Sequence, residues 1–181
     1  MRFIETKFQD VKLFETIVHK DQRGFFTESY NYDIFCRNGI EIDFVQDNHS
    51  LSVEPGVLRG LHYQLNPMAQ SKLVRVLSGA IYDVVVDLRE SSATFGQWQG
   101  FILSSDNKRQ LFVPQGFAHG FCTLVSNTEV FYKVDNYYSP KHDCGIAWDD
   151  PDLNIDWPFS NPIISEKDRD LKSFLKAEKN F

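Results

Sequence analysis

Cysteine is scarce: three residues, at 36, 122 and 144, with no C-x-x-C spacing, which argues against a disulfide framework and a structural zinc site. Positive charge is also short. Nineteen Lys and Arg face twenty-five Asp and Glu, and the net charge of -6 leaves no broad basic face for nucleic acid or a membrane surface. No apolar run approaches the ~20 residues of a membrane-spanning helix. The opening MRFIETKFQDVK is too charged for a secretory signal, so a cytoplasmic protein is expected. No linker, low-complexity stretch or repeat divides the chain, and residues 1–181 are expected to form one domain. No G-x-G-x-x-G occurs, so no nicotinamide cofactor is expected.

What the chain has is aromatic mass: 14%, including sixteen Phe, against ten Gly and seven Pro. That balance favours packed β structure. Period-two runs cover Lys72–Leu77, Ala80–Leu88, Trp98–Leu103, Gln110–Val113, Phe117–Val125 and Thr128–Asp135. Ser78-Gly79 and Ser126-Asn127 read as two-residue hairpin turns. The second would set His119 opposite Val134 and Phe121 opposite Tyr132; the first would set Lys72 opposite Val85, with Asp83 diagonal to it. Two helices are expected: one from Asn31 as N-cap to Gly39 as C′, and one from about Glu166 to Lys176, opened by Ser165-x-x-Asp168. Many short strands with little helix between them mean an all-β sandwich or barrel, and a jelly roll accommodates this number of strands.

A few side chains carry candidate chemistry. His62, in Leu58-Arg59-Gly60-Leu61-His62-Tyr63-Gln64, is either an ordinary strand histidine or a general base. Arg59 precedes it by three positions, so the two leave opposite strand faces unless the backbone bends at Gly60. His119 ends a P-x-G-x-x-H turn similar to the second motif of cupins, where such a histidine often binds metal. The first cupin motif needs H-x-H and a following Glu. Here it reads His62-Tyr63-Gln64 with no Glu before Glu90, a poor first-row metal site. No metal is expected, and His119 becomes a ligand contact or an orienting residue. Tyr132 is either core or a proton donor, and Asp168 either caps its helix or orients a histidine.

Eight segments then stand in order: Asp21-x-Arg23-Gly24-x-Phe26-x-Glu28, Phe44-Val45-Gln46-Asp47-Asn48, Leu58 to Gln64, Gln70-x-Lys72-Leu73, Val113-Pro114-x-Gly116 to Phe121, Tyr132-x-Val134-x-x-Tyr137-Tyr138-x-Pro140, Trp148-x-Asp150-Pro151 to Pro158, and Ser165-x-Lys167-Asp168. Together they resemble the dTDP-4-dehydrorhamnose 3,5-epimerase family of cofactor-free cupins, from about Asp21 to Asp168. The resemblance implies a cupin jelly roll with short peripheral helices, no cofactor, and a dTDP-linked 4-keto-6-deoxy hexose as substrate. His62 would be the base paired with Asp168, Tyr132 the acid, and Lys72 the cation beside O4. Arg23, Phe26, Glu28, Gln46, Asn48, Arg59, His119 and Lys167 would contact substrate, with Arg23 and Arg59 at the diphosphate and Tyr138 stacking on thymine. It also implies a homodimer in which N-terminal strands cross between subunits. Asp143 would contact the nucleotide as well, with one departure: it occupies a segment where the family often has Glu, one methylene longer. Open alternatives are a single-centre epimerase, a non-catalytic sugar-nucleotide binder and a metal-dependent cupin dioxygenase.

Overall fold

The computed structural model describes residues Met1–Phe181. Thirteen strands and two short helices follow in order: β1 (Arg2–Ile4), β2 (Lys12–Glu15), β3 (Val18–Asp21), β4 (Gly24–Thr27), α1 (Tyr32–Arg37), β5 (Gln46–Ser52), β6 (Leu58–Gln64), β7 (Lys72–Ser78), β8 (Ala80–Asp87), β9 (Trp98–Ser104), β10 (Arg109–Val113), β11 (Phe117–Thr123), β12 (Thr128–Val134), β13 (Asp143–Gly145) and α2 (Glu166–Arg169). Two antiparallel sheets face one another, ordered β1-β2-β10-β7-β12-β5 and β13-β6-β11-β8-β9, with β3 and β4 paired apart as a ribbon. This is the expected all-β jelly roll of the cupin type.

The inner faces of both main sheets and much of their outer faces are covered, which explains the long apolar runs. Val74, Val76, Ile81, Val85, Leu103, Leu111 and Val130 fill the space between the sheets. Outside the second sheet, Val84, Val86, Ala118 and Leu61 pack against the C-terminal segment through Leu153 and Phe174. Outside the first, Leu73 and Phe112 are covered by Phe35 of α1 and by Ile40. Helix α1 begins as expected: Asn31 Oδ1 accepts the Ile34 N–H, and Gly39 follows the C-cap with φ +80°.

Two expectations fail. Ser78-Gly79 and Ser126-Asn127 do not turn hairpins; each carries the chain from the first sheet to the second or back. His119 therefore lies opposite His62 and Val85, Tyr132 opposite Asn48 and Val74, and Lys72 opposite Val113 and Val134. A hairpin and an inter-sheet corner both need small residues able to adopt positive φ, as Gly79 (+80°) and Asn127 (+51°) do. Burial decides between them, because Val84, Val85 and Val86 are each fully buried and β8 must lie mid-sheet with layers on both sides. The second helix is also shorter than expected. It stops at Arg169 because Lys172 bridges to Ile146 and accepts the Ala147 N–H, drawing the chain out straight.

Candidate active site

Between the sheets a cavity of about 570 Å³ opens to solvent, lined by Asn48, Arg59, His62, Lys72, His119, Phe121, Tyr132, Lys167 and Asp168 among others. An adjoining lobe of about 260 Å³ adds Gln46, Gln64, Tyr138 and Asp143. The second sheet supplies Arg59 and His62 on β6 and His119 on β11; the first supplies Asn48, Lys72 and Tyr132.

Arg59 and His62 share the cavity because of a bulge. His119 pairs with His62 and Phe121 with Arg59, so a two-residue step on β11 faces a three-residue step on β6. Gly60 absorbs it at φ +123°. An added Cβ there would stand 2.6 Å from Gly120 Cα and 2.8 Å from the His119 carbonyl oxygen. No other residue fits.

His62 Nε2 donates to Asp168 Oδ1 at 2.7 Å, and the other oxygen of that buried carboxylate accepts the Gly60 N–H. Burial pushes Asp168 up, but bonds from His62, Gly60 and Ser165 hold it below the usual carboxylate range. Ser165 Oγ caps the Asp168 N–H, so the cap that starts α2 also fixes the residue whose side chain reaches His62. The imidazole is left with Nδ1 free of any bond within the chain. Lys72 Nζ, enclosed by protein yet open to the cavity, bonds only the His62 carbonyl, at 3.4 Å. Burial lowers it to about 8 against the opposing pull of Asp143 and Asp83. Burial raises Tyr132, Arg59 opposes the shift and Asp143 adds to it, so the phenol keeps its proton at neutral pH.

Arg59 has no carboxylate partner; its guanidinium makes only two long contacts, 3.4 Å each, to Ser52 Oγ and the Leu51 carbonyl. Gln46 donates to Asn48 and accepts the Tyr138 N–H. Arg23, Phe26 and Glu28 are not brought to this cavity. They lie exposed on and after the β3–β4 ribbon, where Arg23 pairs with Asp21 at 2.6 Å. Sequence reasoning passed over Asp83 as a site residue, though it placed Asp83 on the same apolar face as Lys72. It also missed Ile163 and Ile164, which line the cavity and carry no chemical signature.

The cupin metal positions are otherwise engaged. Gln64 donates to the carbonyls of Met68 and Tyr137 and accepts the Ser139 N–H, while both histidines bind carboxylates. No three His, Cys, Asp or Glu side chains converge in metal-binding geometry.

Residues 5–176 match the family model of dTDP-4-dehydrorhamnose 3,5-epimerase. The chain belongs to this epimerase family. It is 52% identical to the dTDP-4-dehydrorhamnose 3,5-epimerase of Shigella flexneri over 98% of each chain. It superposes on the solved dTDP-4-dehydrorhamnose 3,5-epimerase of Bacillus anthracis str. Ames, which has TDP and PPi bound, with a TM-score of 0.94 and 59% identity over 95% of this chain and 98% of that one. The corresponding values for a dTDP-6-deoxy-D-glucose-3,5-epimerase of Legionella pneumophila, solved in complex with dTDP-4-keto-L-rhamnose, are 0.91 and 46% over 95% and 92%.

Asp143 lines the adjoining lobe and is also engaged within the chain. Its Oδ2 accepts from the Tyr138 hydroxyl at 2.9 Å and pairs with Lys167. The carboxylate raises both partners, Tyr138 through its hydrogen bond and Lys167 through its ion pair.

Proposed function

We propose that the chain converts dTDP-4-dehydro-6-deoxy-D-glucose to dTDP-4-dehydro-L-rhamnose, inverting C3 and C5 by proton abstraction and reprotonation. One observation supports this reading above all: a His–Asp pair and a tyrosine stand on opposite sheets across one cavity, with a lysine beside them. C3 and C5 flank the C4 carbonyl, so removing either proton gives an enolate with its charge on O4. With Nε2–H held by Asp168, His62 offers the Nδ1 lone pair as base, and the carboxylate stabilises the imidazolium that forms. The Lys72 ammonium takes the O4 charge in a low-dielectric site, where such a donor contributes ~3–4 kcal/mol. Tyr132, on the other sheet, returns a proton to the opposite face of the ring. No electron is gained or lost, so the chemistry calls for no redox cofactor.

Arg59, with no anionic partner of its own, is the natural diphosphate ligand, and exposed Tyr138 offers a ring for thymine. Asn48, His119 and Lys167 line the same cavity and offer polar groups to the substrate. Arg23, Phe26 and Glu28 fit substrate contact only if a second copy delivers them. Exposed Ile17, Phe25 and Phe26 on the ribbon, with Leu51 and Leu77 on the outer face of the first sheet, favour a homodimer that does so. Sedimentation equilibrium tests that part, and a monomer at micromolar concentration would end it.

Incubation with the keto sugar in deuterated water tests the chemistry. Label at C3 and C5 with inverted product is expected. Label at one centre would mean a single-centre epimerase, and no label a binder.

A further inference from the structure

Asp83 sits on β8 with no exposed surface, between Phe121 and Phe101 on its neighbouring strands. A carboxylate in such a place needs strong compensation. Its two oxygens share one hydrogen-bond donor, His119 Nε2, at 2.9 and 3.0 Å, and no backbone N–H reaches it. His119 lines the cavity and Asp83 does not. The pair thus repeats the His62–Asp168 pair on the adjacent strand: each histidine gives Nε2 to a buried carboxylate and keeps Nδ1 free.

We infer that Asp83 is a positioning residue of the reaction: by accepting Nε2–H it holds the His119 ring with Nδ1 presented to the cavity. This rests on the epimerase reading above.

Asp83→Asn keeps the volume and one acceptor for His119 Nε2–H while removing the charge. Values of kcat, KM and melting temperature are measured for the wild type and for each variant. Asp83→Asn should keep kcat within about threefold of wild type, because Asn Oδ1 still accepts the His119 Nε2–H. KM should stay within about twofold, because Asp83 touches no substrate. Asp83→Leu, which frees the His119 ring, should lower kcat about tenfold or more while still folded. A folded Asp83→Leu that turns over as fast as wild type, or an Asp83→Asn that loses as much kcat as Asp83→Leu, overturns the inference. A wild type that exchanges no deuterium would instead end the epimerase reading, so the two failures are distinguishable.

Discussion

Asp168 Oδ1 lies 2.7 Å from His62 Nε2, although 106 positions separate the two residues in the chain. The carboxylate arrives from a single turn of helix and the imidazole from the middle of a sheet. Removing the carboxylate should therefore damage catalysis more than binding. Asp168→Asn should lower kcat about 10²–10⁴-fold with KM within threefold of wild type, since the imidazolium loses its stabilising charge. Steady-state kinetics decide it, and a variant that raises KM while sparing kcat would place Asp168 in binding alone.

Tyr132→Phe keeps the ring and its packing but removes the proton donor. The enolate should still form, because His62, Asp168 and Lys72 are intact, and it should often be reprotonated from the side it left. Deuterium should enter at C3 or C5 with retained configuration, faster than inverted product accumulates. Inversion at the wild-type rate would show that the phenol takes no part.

Lys72 sets the alkaline limit. Its ammonium is lowered to about 8, so kcat should decline as pH rises through that value. The same shift costs stability. The folded chain holds this proton less tightly than the unfolded chain, so the destabilisation is fully present below pH 8 and fades toward the ordinary lysine value of 10.5. Lys72→Met should accordingly abolish turnover yet stabilise the fold at pH 7 by on the order of 1–3 kcal/mol, read as a higher melting temperature. A variant with a lower melting temperature would contradict the argument.

Arg59→Ala should weaken dTDP binding about tenfold to a hundredfold, the range expected for one charge-assisted hydrogen-bonding group. Titration calorimetry with dTDP measures this. Deuterium exchange at saturating substrate should be little changed, because the guanidinium makes no bond to the His62–Asp168 pair. Unchanged affinity would remove Arg59 from the diphosphate site.

Local chemistry was enough for the sequence to determine much of this molecule. Asn31 and Gly39 bound α1 because capping depends on residues a few positions apart. The strands from Lys72 to Val134 follow from period-two patterning, and the ordered motifs name the family and the cavity side chains His62, Lys72, His119, Tyr132 and Asp168. Pairing was beyond its reach. Ser78-Gly79 and Ser126-Asn127 suit a hairpin and an inter-sheet corner equally well, and only the demand to bury both faces of β8 selects the corner. The expected registers were consequently wrong, yet Lys72, His119 and Tyr132 still share one cavity, because opposed sheets turn their inner faces toward each other. Tertiary structure also decided that Gly60 bends β6 so that Arg59 joins His62, and that α2 ends at Arg169. It placed Asp83 behind His119 as well. Each of these depends on groups tens of residues apart meeting in space. Such meetings are fixed by packing and by the pairing of buried charge, which no local pattern encodes.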